Sequence, residues 1–101
     1  MKEYDLFVPL YYNDGTPIEP QKLQDLQQQL HQFGGLTFFP QPNAGFWTMA
    51  GITYRDEIVI YRVITSRDEE ARRFFVALKA QLKDALQQKD ILIVERNVDT
   101  L

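Results

Sequence analysis

The strongest apolar run in the chain is Ile58-Val59-Ile60-Tyr61-Arg62-Val63-Ile64-Thr65. It is β-branched or aromatic at nearly every position, the composition of a strand. It does not alternate apolar with polar. Ile58, Ile60 and Ile64 share one face, and Val59, Tyr61 and Val63 share the other. Two apolar faces both need cover, so the run predicts a central strand with Arg62 as its single internal charge. Residues 4–12 alternate more cleanly. Tyr4, Leu6, Val8, Leu10 and Tyr12 form one face, while Asp5, Phe7, Pro9 and Tyr11 form the other. This is the first strand. Pro9 cannot donate to a ladder, so the strand is an edge there, is bulged, or loses its partner on one side before residue 9.

A period of 3.6 then takes over twice. Pro20 suits a first helical position, and Ile18 and Leu23 are spaced to staple that start. Leu23, Leu26, Leu30 and Phe33 make a narrow stripe, glutamines fill the wet face, and Gly34-Gly35 ends the helix. Ser66-Arg67-Asp68-Glu69 reads as a capping box opening a second helix that runs to about Gln88. Its stripe is Ala71, Phe74, Phe75, Leu78, Leu82, Ala85 and Leu86. The acidic start and the lysine-bearing end both suit the helix dipole.

Between the helices, Leu36–Phe39 predicts a short strand and residues 40–45, with two prolines, a loop. Residues 46–48 and 52–54 then predict an extra hairpin leading into the central strand. Ile91–Glu95 is the last strand, and Asn97–Leu101 a tail. The order is that of an α+β, ferredoxin-like βαββαβ domain over residues 1–101. In it a four-stranded antiparallel sheet carries both helices on one face. The other face stays bare, yet several strands turn apolar side chains to it. The expected cover is a second copy of the chain, making a homodimer through the open sheet face.

Composition narrows the function classes. The chain has 101 residues, enough for one domain with a real core. A net charge of −3 argues against nucleic acid and against an anionic membrane surface. With no cysteine and one histidine, His31, no metal site and no thiolate chemistry is expected. No cofactor motif is present. The charged N-terminus lacks the apolar core of a signal peptide, so a cytoplasmic location is expected.

Phe33-Gly34-Gly35-Leu36-Thr37, Gly45-Phe46-Trp47, the Gly51-led strand and the closing Gln87-Gln88-Lys89-Asp90-Ile91-Leu92-Ile93-Val94 span most of the chain. In these segments it resembles a group of small bacterial domains of ferredoxin-like fold with no agreed function. The resemblance implies that fold and a dimer. It brings no activity and no catalytic residues.

Candidate chemistry is confined to a few residues. Phe46 and the lone Trp47 sit between proline and glycine punctuation, where an aromatic pair serves as a ligand lid, a partner anchor or plain core. Tyr54, Arg55, Asp56 and Glu57 lead into the central strand. Arg55 suits a carboxylate or phosphate, and Asp56 or Glu57 suits a base, against the plainer reading of cross-strand ion pairs. Arg62 must snorkel, pair with an acid, or lie at the dimer interface. His31 falls off the apolar stripe and reads as a surface residue. No catalytic residue is assigned, and there is no nucleophile triad and no phosphate-cradling loop. An RNA-recognition domain shares the element order, but its aromatic strand-three motif is missing. Two functions follow. The first is a homodimeric binding or interaction module of unassigned ligand. The second is a small cofactor-free enzyme of the dimeric α+β barrel type acting on a small organic substrate. There Trp47, Tyr54 and Arg55 would orient the substrate and Asp56 would be the base.

Overall fold

The computed structural model describes residues 1–101. In chain order the elements are β1 (Lys2–Pro9), α1 (Pro20–Leu30) with a 3-10 turn after it (His31–Phe33), β2 (Thr37–Met49), β3 (Ile52–Thr65), α2 (Asp68–Ala85) and β4 (Leu92–Asn97). The strands form one sheet in the order β2-β3-β1-β4, with every neighbouring pair antiparallel. The class is α+β. The strand from Ile58 is central, as its two apolar faces require.

The alternation along each strand decides which residues meet the helices. Tyr4, Leu6 and Val8 of β1 sit opposite Val63, Tyr61 and Val59 of β3, so all six point to one face. All are buried, in one cluster with Leu26 and Leu30 of α1 and Ala71, Phe75, Leu78 and Leu82 of α2. Both helices therefore cover the same side of the sheet. Tyr4 stacks on Phe75 with ring centroids 4.2 Å apart, and its hydroxyl donates to Glu95 at 2.7 Å. Burial, and then that carboxylate, push the Tyr4 phenol well above its ordinary value. Gln27 donates to the Tyr61 hydroxyl, so the polar tips of both core tyrosines are satisfied.

The elements differ from the sequence expectation where proline or local caps intervene. β1 stops at Pro9 rather than Tyr12. Its ladder to β4 ends at Phe7–Leu92, while its ladder to β3 continues to Pro9–Ile58. The Leu10 amide donates to Glu57 on the β3 side, so the proline nitrogen faces the side where β4 has already ended.

The expected short strand, proline loop and extra hairpin are one long hairpin instead. β2 runs through Pro40 and Pro42, and its ladder to β3 shifts register between Phe39 and Asn43. Two prolines are tolerated there because β2 is an edge strand and the bulge absorbs the mismatch. Ala50 and Gly51 both have positive φ, 52° and 77°, the signature of a tight two-residue hairpin turn.

Helix α2 begins at Asp68, two residues after the capping box expected at Ser66. No side chain caps it, and the Thr65 hydroxyl instead accepts the Arg67 amide. It ends at Ala85 rather than Gln88. Gln87 takes the left-handed conformation (φ 52°), and the Gln88 amide reaches back to the Lys83 carbonyl, a Schellman-type stop without glycine. β4 starts one residue later than expected and runs on to Asn97.

Candidate functional site

The face of the sheet away from the helices is ordered by the same register. One cross-strand row is Phe39–Ile60–Phe7–Leu92, apolar across all four strands. The row beside it is Thr37–Arg62–Asp5–Val94, and the next places Ile64 and Arg96 on either side of Glu3. Ile58, Ile60 and Ile64 thus point away from the helices, and Arg62 lies among them on the open face.

Arg62 does not snorkel into empty solvent. Its guanidinium donates two bonds to Asp5, at 2.8 and 3.0 Å, and lies 3.3 Å from Glu3. Arg96 donates to Asp5 and to Glu3, both at 2.8 Å. The Asp5 side chain is only 4% exposed, while Arg62 and Arg96 are 37% and 48% exposed. Two acids lie beneath two half-exposed guanidinium groups, and the square is neutral. Hydrogen bonding from Arg62, joined by Arg96 and opposed by burial, holds the Asp5 carboxyl below its usual value. The same bonds raise both guanidinium groups. Arg62 also stacks over Phe39, 5.3 Å from the ring centre.

Past the apolar row the long hairpin borders a groove of about 500 Å³. Phe7, Ile58, Ile60 and Leu92 form its floor side, Trp47 and Asp56 its hairpin side, and Gln88 and Asp90 its far end. Trp47 pairs with Tyr54 across the hairpin, and its indole N–H donates to Asp56 Oδ2 at 2.8 Å. That leaves Oδ1 of Asp56 without a hydrogen-bond partner, near the N–H edge of the indole. This geometry can hold a polar group against an aromatic ring; nothing near it forms a nucleophile–base pair.

The candidate residues are thus brought together on one hairpin but split between its faces. Trp47, Tyr54 and Asp56 share the open face. Phe46 and Arg55 are paired with each other on the opposite face, with Phe46 67% exposed at the groove's rim. Arg62 belongs to the charged square, not to the groove. His31 is exposed at the start of the 3-10 turn. Sequence reasoning missed Glu3 and Asp5 as partners of Arg62, Arg96 as the second cation on those acids, and Asn43 and Gln88 as groove residues. Asp5 carried a usable signal. It is an acid flanked by apolar positions on the second face of β1, and such a residue needs a cation on a neighbouring strand. Asn43 and Gln88 carried none, because both lie where the chain leaves regular alternation.

No group of three or more His, Cys, Asp or Glu side chains is arranged to hold a metal ion, and no helix is long and apolar enough to cross a membrane. No protein-family model matches the chain, and no curated protein matches its sequence.

Proposed function

We propose that this chain is a homodimeric binding module of ferredoxin-like fold that associates through its open sheet face. For the fold, the support is topological. Counted from the other edge the sheet reads β4-β1-β3-β2. Each strand–helix–strand unit skips one strand, which is the split βαβ arrangement. For the dimer, the carrying observation is the row Phe39–Ile60–Phe7–Leu92, which no helix covers. Leu92 and Ile64 on this face are 55% and 39% exposed. Contiguous apolar surface of this kind marks an interaction site more often than it persists on a monomer.

A second copy is the favoured partner because the charges on this face are already matched within the chain. Burying an unpaired charge costs several kcal/mol, but the Asp5–Glu3–Arg62–Arg96 square would enter an interface neutral and hydrogen-bonded. A two-fold assembly places the same patch on both sides and closes on itself. Four strands at about 4.8 Å spacing, taken over the 8-residue length of β1, span a face of about 500 Å² in plan. Side-chain relief brings this toward the roughly 800 Å² per partner of a standard interface.

The test is sedimentation equilibrium at micromolar concentration. The expected mass is twice the 11.9 kDa of the chain. Leu92→Asp, at an exposed position, should yield a folded monomer. A wild-type chain that runs as a clean monomer overturns the dimer.

A catalytic version of the same architecture, the dimeric α+β barrel type, draws support from the free Asp56 oxygen at the groove. It loses Arg55 as a substrate-orienting group, since Arg55 lies on the other face of the hairpin. Binding without chemistry is therefore the preferred reading. A screen in which Asp56→Asn abolished turnover of a bound small molecule would reverse that preference.

A further inference from the structure

We propose that the groove between the hairpin and the apolar row binds a small apolar amine in its ammonium form. This rests on the reading of the chain as a binding module and gives that module a ligand class. A volume of about 500 Å³ lies within the range of small-molecule sites, which are mostly apolar with a few convergent polar groups. Here Phe7, Ile58, Ile60 and Leu92 supply an apolar floor for a hydrocarbon body. The polar groups decide what that body carries.

The polar side chains of the groove offer acceptors. The Asn43 amide nitrogen is turned away, donating to the Gln41 carbonyl at 2.9 Å. The Gln88 amide nitrogen donates to the Leu86 carbonyl at 2.9 Å. The Trp47 indole N–H is taken by Asp56. What remains are the amide oxygens of Asn43 and Gln88, Oδ1 of Asp56 and one N–H on each amide. No lysine or arginine lines the groove, and its two charged residues, Asp56 and Asp90, are both acids. Asp90 is already matched by Lys79 at 3.3 Å, whereas Asp56 makes no ion pair. An unmatched carboxylate over an apolar floor is the feature that selects a cation, through a charge-assisted hydrogen bond. An anion would meet two carboxylates and no cationic donor. A neutral alcohol could donate but would gain no charge assistance.

Trp47 is the only tryptophan in the chain, so its emission reports on this groove directly. The experiment titrates the 101-residue chain with 2-phenylethylammonium, 2-phenylethanol and 3-phenylpropanoate, which share an aromatic body and differ in the head group. The expected result is a saturable emission change with the ammonium probe at least about tenfold tighter than the alcohol. The propanoate should give no saturation. Asp56→Asn keeps an acceptor for the indole and should bring the ammonium and alcohol affinities together. Equal or tighter binding of the propanoate overturns the proposal, as does no saturation by any probe at millimolar concentration. Discrimination unchanged in Asp56→Asn overturns it equally. Sedimentation of the same samples separates the two readings. Phe7, Ile60 and Leu92 serve both the apolar row and the groove floor, so a monomer that still selects the ammonium probe sinks the dimer alone, and a protein that ignores all three at a dilution where it sediments as a monomer sinks the ligand alone.

Discussion

Replacing Asp5 by Asn is the sharpest probe of the open face. The change keeps the shape and one acceptor but removes the charge that two guanidinium groups share. Stranding a charge in a dry interior costs about 3–5 kcal/mol. Here the stranded groups are Arg62 and Arg96, 37% and 48% exposed, which water can resolvate, and both keep Glu3. The expected loss is therefore smaller, about 2 kcal/mol at neutral pH. For a domain of this length that lowers the melting temperature by about 10 °C.

The pH dependence gives the reasoning a second handle. Asp5 has its folded value depressed by Arg62 and Arg96. A depressed acid contributes stability that is fully present above its unfolded value, about 3.9, and is lost as pH falls through the lower folded value. The deficit of Asp5→Asn should thus be complete at pH 7, begin to shrink below about pH 4, and vanish once the wild-type carboxyl is protonated. The assay is urea unfolding of both proteins across that range, at one fixed protein concentration because the proposed dimerisation would add to apparent stability. A deficit equal at pH 7 and pH 2 would refute the electrostatic origin. A deficit below about 0.5 kcal/mol at pH 7 would mean the square is idle.

Two further outcomes are expected from the fold itself. Leu6→Ala empties the centre of the sheet's helix-facing side, where Leu6 is wholly buried, and should cost about 3 kcal/mol in urea unfolding. Gln87→Gly relieves a left-handed residue at the end of α2 and should add about 0.5–1 kcal/mol, since the Asn13 side chain bonds only its backbone oxygen.

Much of the fold was legible because period carries the information. Alternation alone sorts Tyr4, Leu6 and Val8 onto one face of β1 and Val59, Tyr61 and Val63 onto one face of β3, though which β3 face meets the helices waits on the register, and the stripes of both helices follow from the 3.6 spacing. The central place of β3 followed from its two apolar faces. What was not legible depends on partners. Pro40 and Pro42 read as a loop because a proline says nothing of whether its strand is an edge. Ser66 read as a cap because the motif does not reveal that Thr65 would take the Arg67 amide. At the site, Trp47 and Asp56 were visible as residue types, but their hydrogen bond depends on the two-residue turn at Ala50-Gly51, which sets Trp47 against Tyr54 and Gly45 against Asp56. Arg55 and Asp56 look like one polar cluster until the strand is seen to run through both, and alternation then sends them to opposite faces.

The two ends of the open face differ in how their charge is used, and this separates the two readings by salt. In the square, Asp5 and Glu3 are closed on Arg62 and Arg96, so the face presents little net field to a second copy. The proposed association through Phe39, Ile60, Phe7 and Leu92 would then be driven by apolar burial, which added salt leaves intact or strengthens. At the groove, Asp56 is partly exposed and its charge is unmatched. Attraction of an ammonium to it is screened, because the Debye length falls from about 10 Å at 0.1 M salt to about 3 Å at 1 M. One salt series therefore moves the two equilibria differently. A dimer that dissociates as salt rises would place unmatched charge at the interface and break the account of the square. An ammonium affinity indifferent to salt would mean that the apolar body alone drives binding and that Asp56 has no part in it.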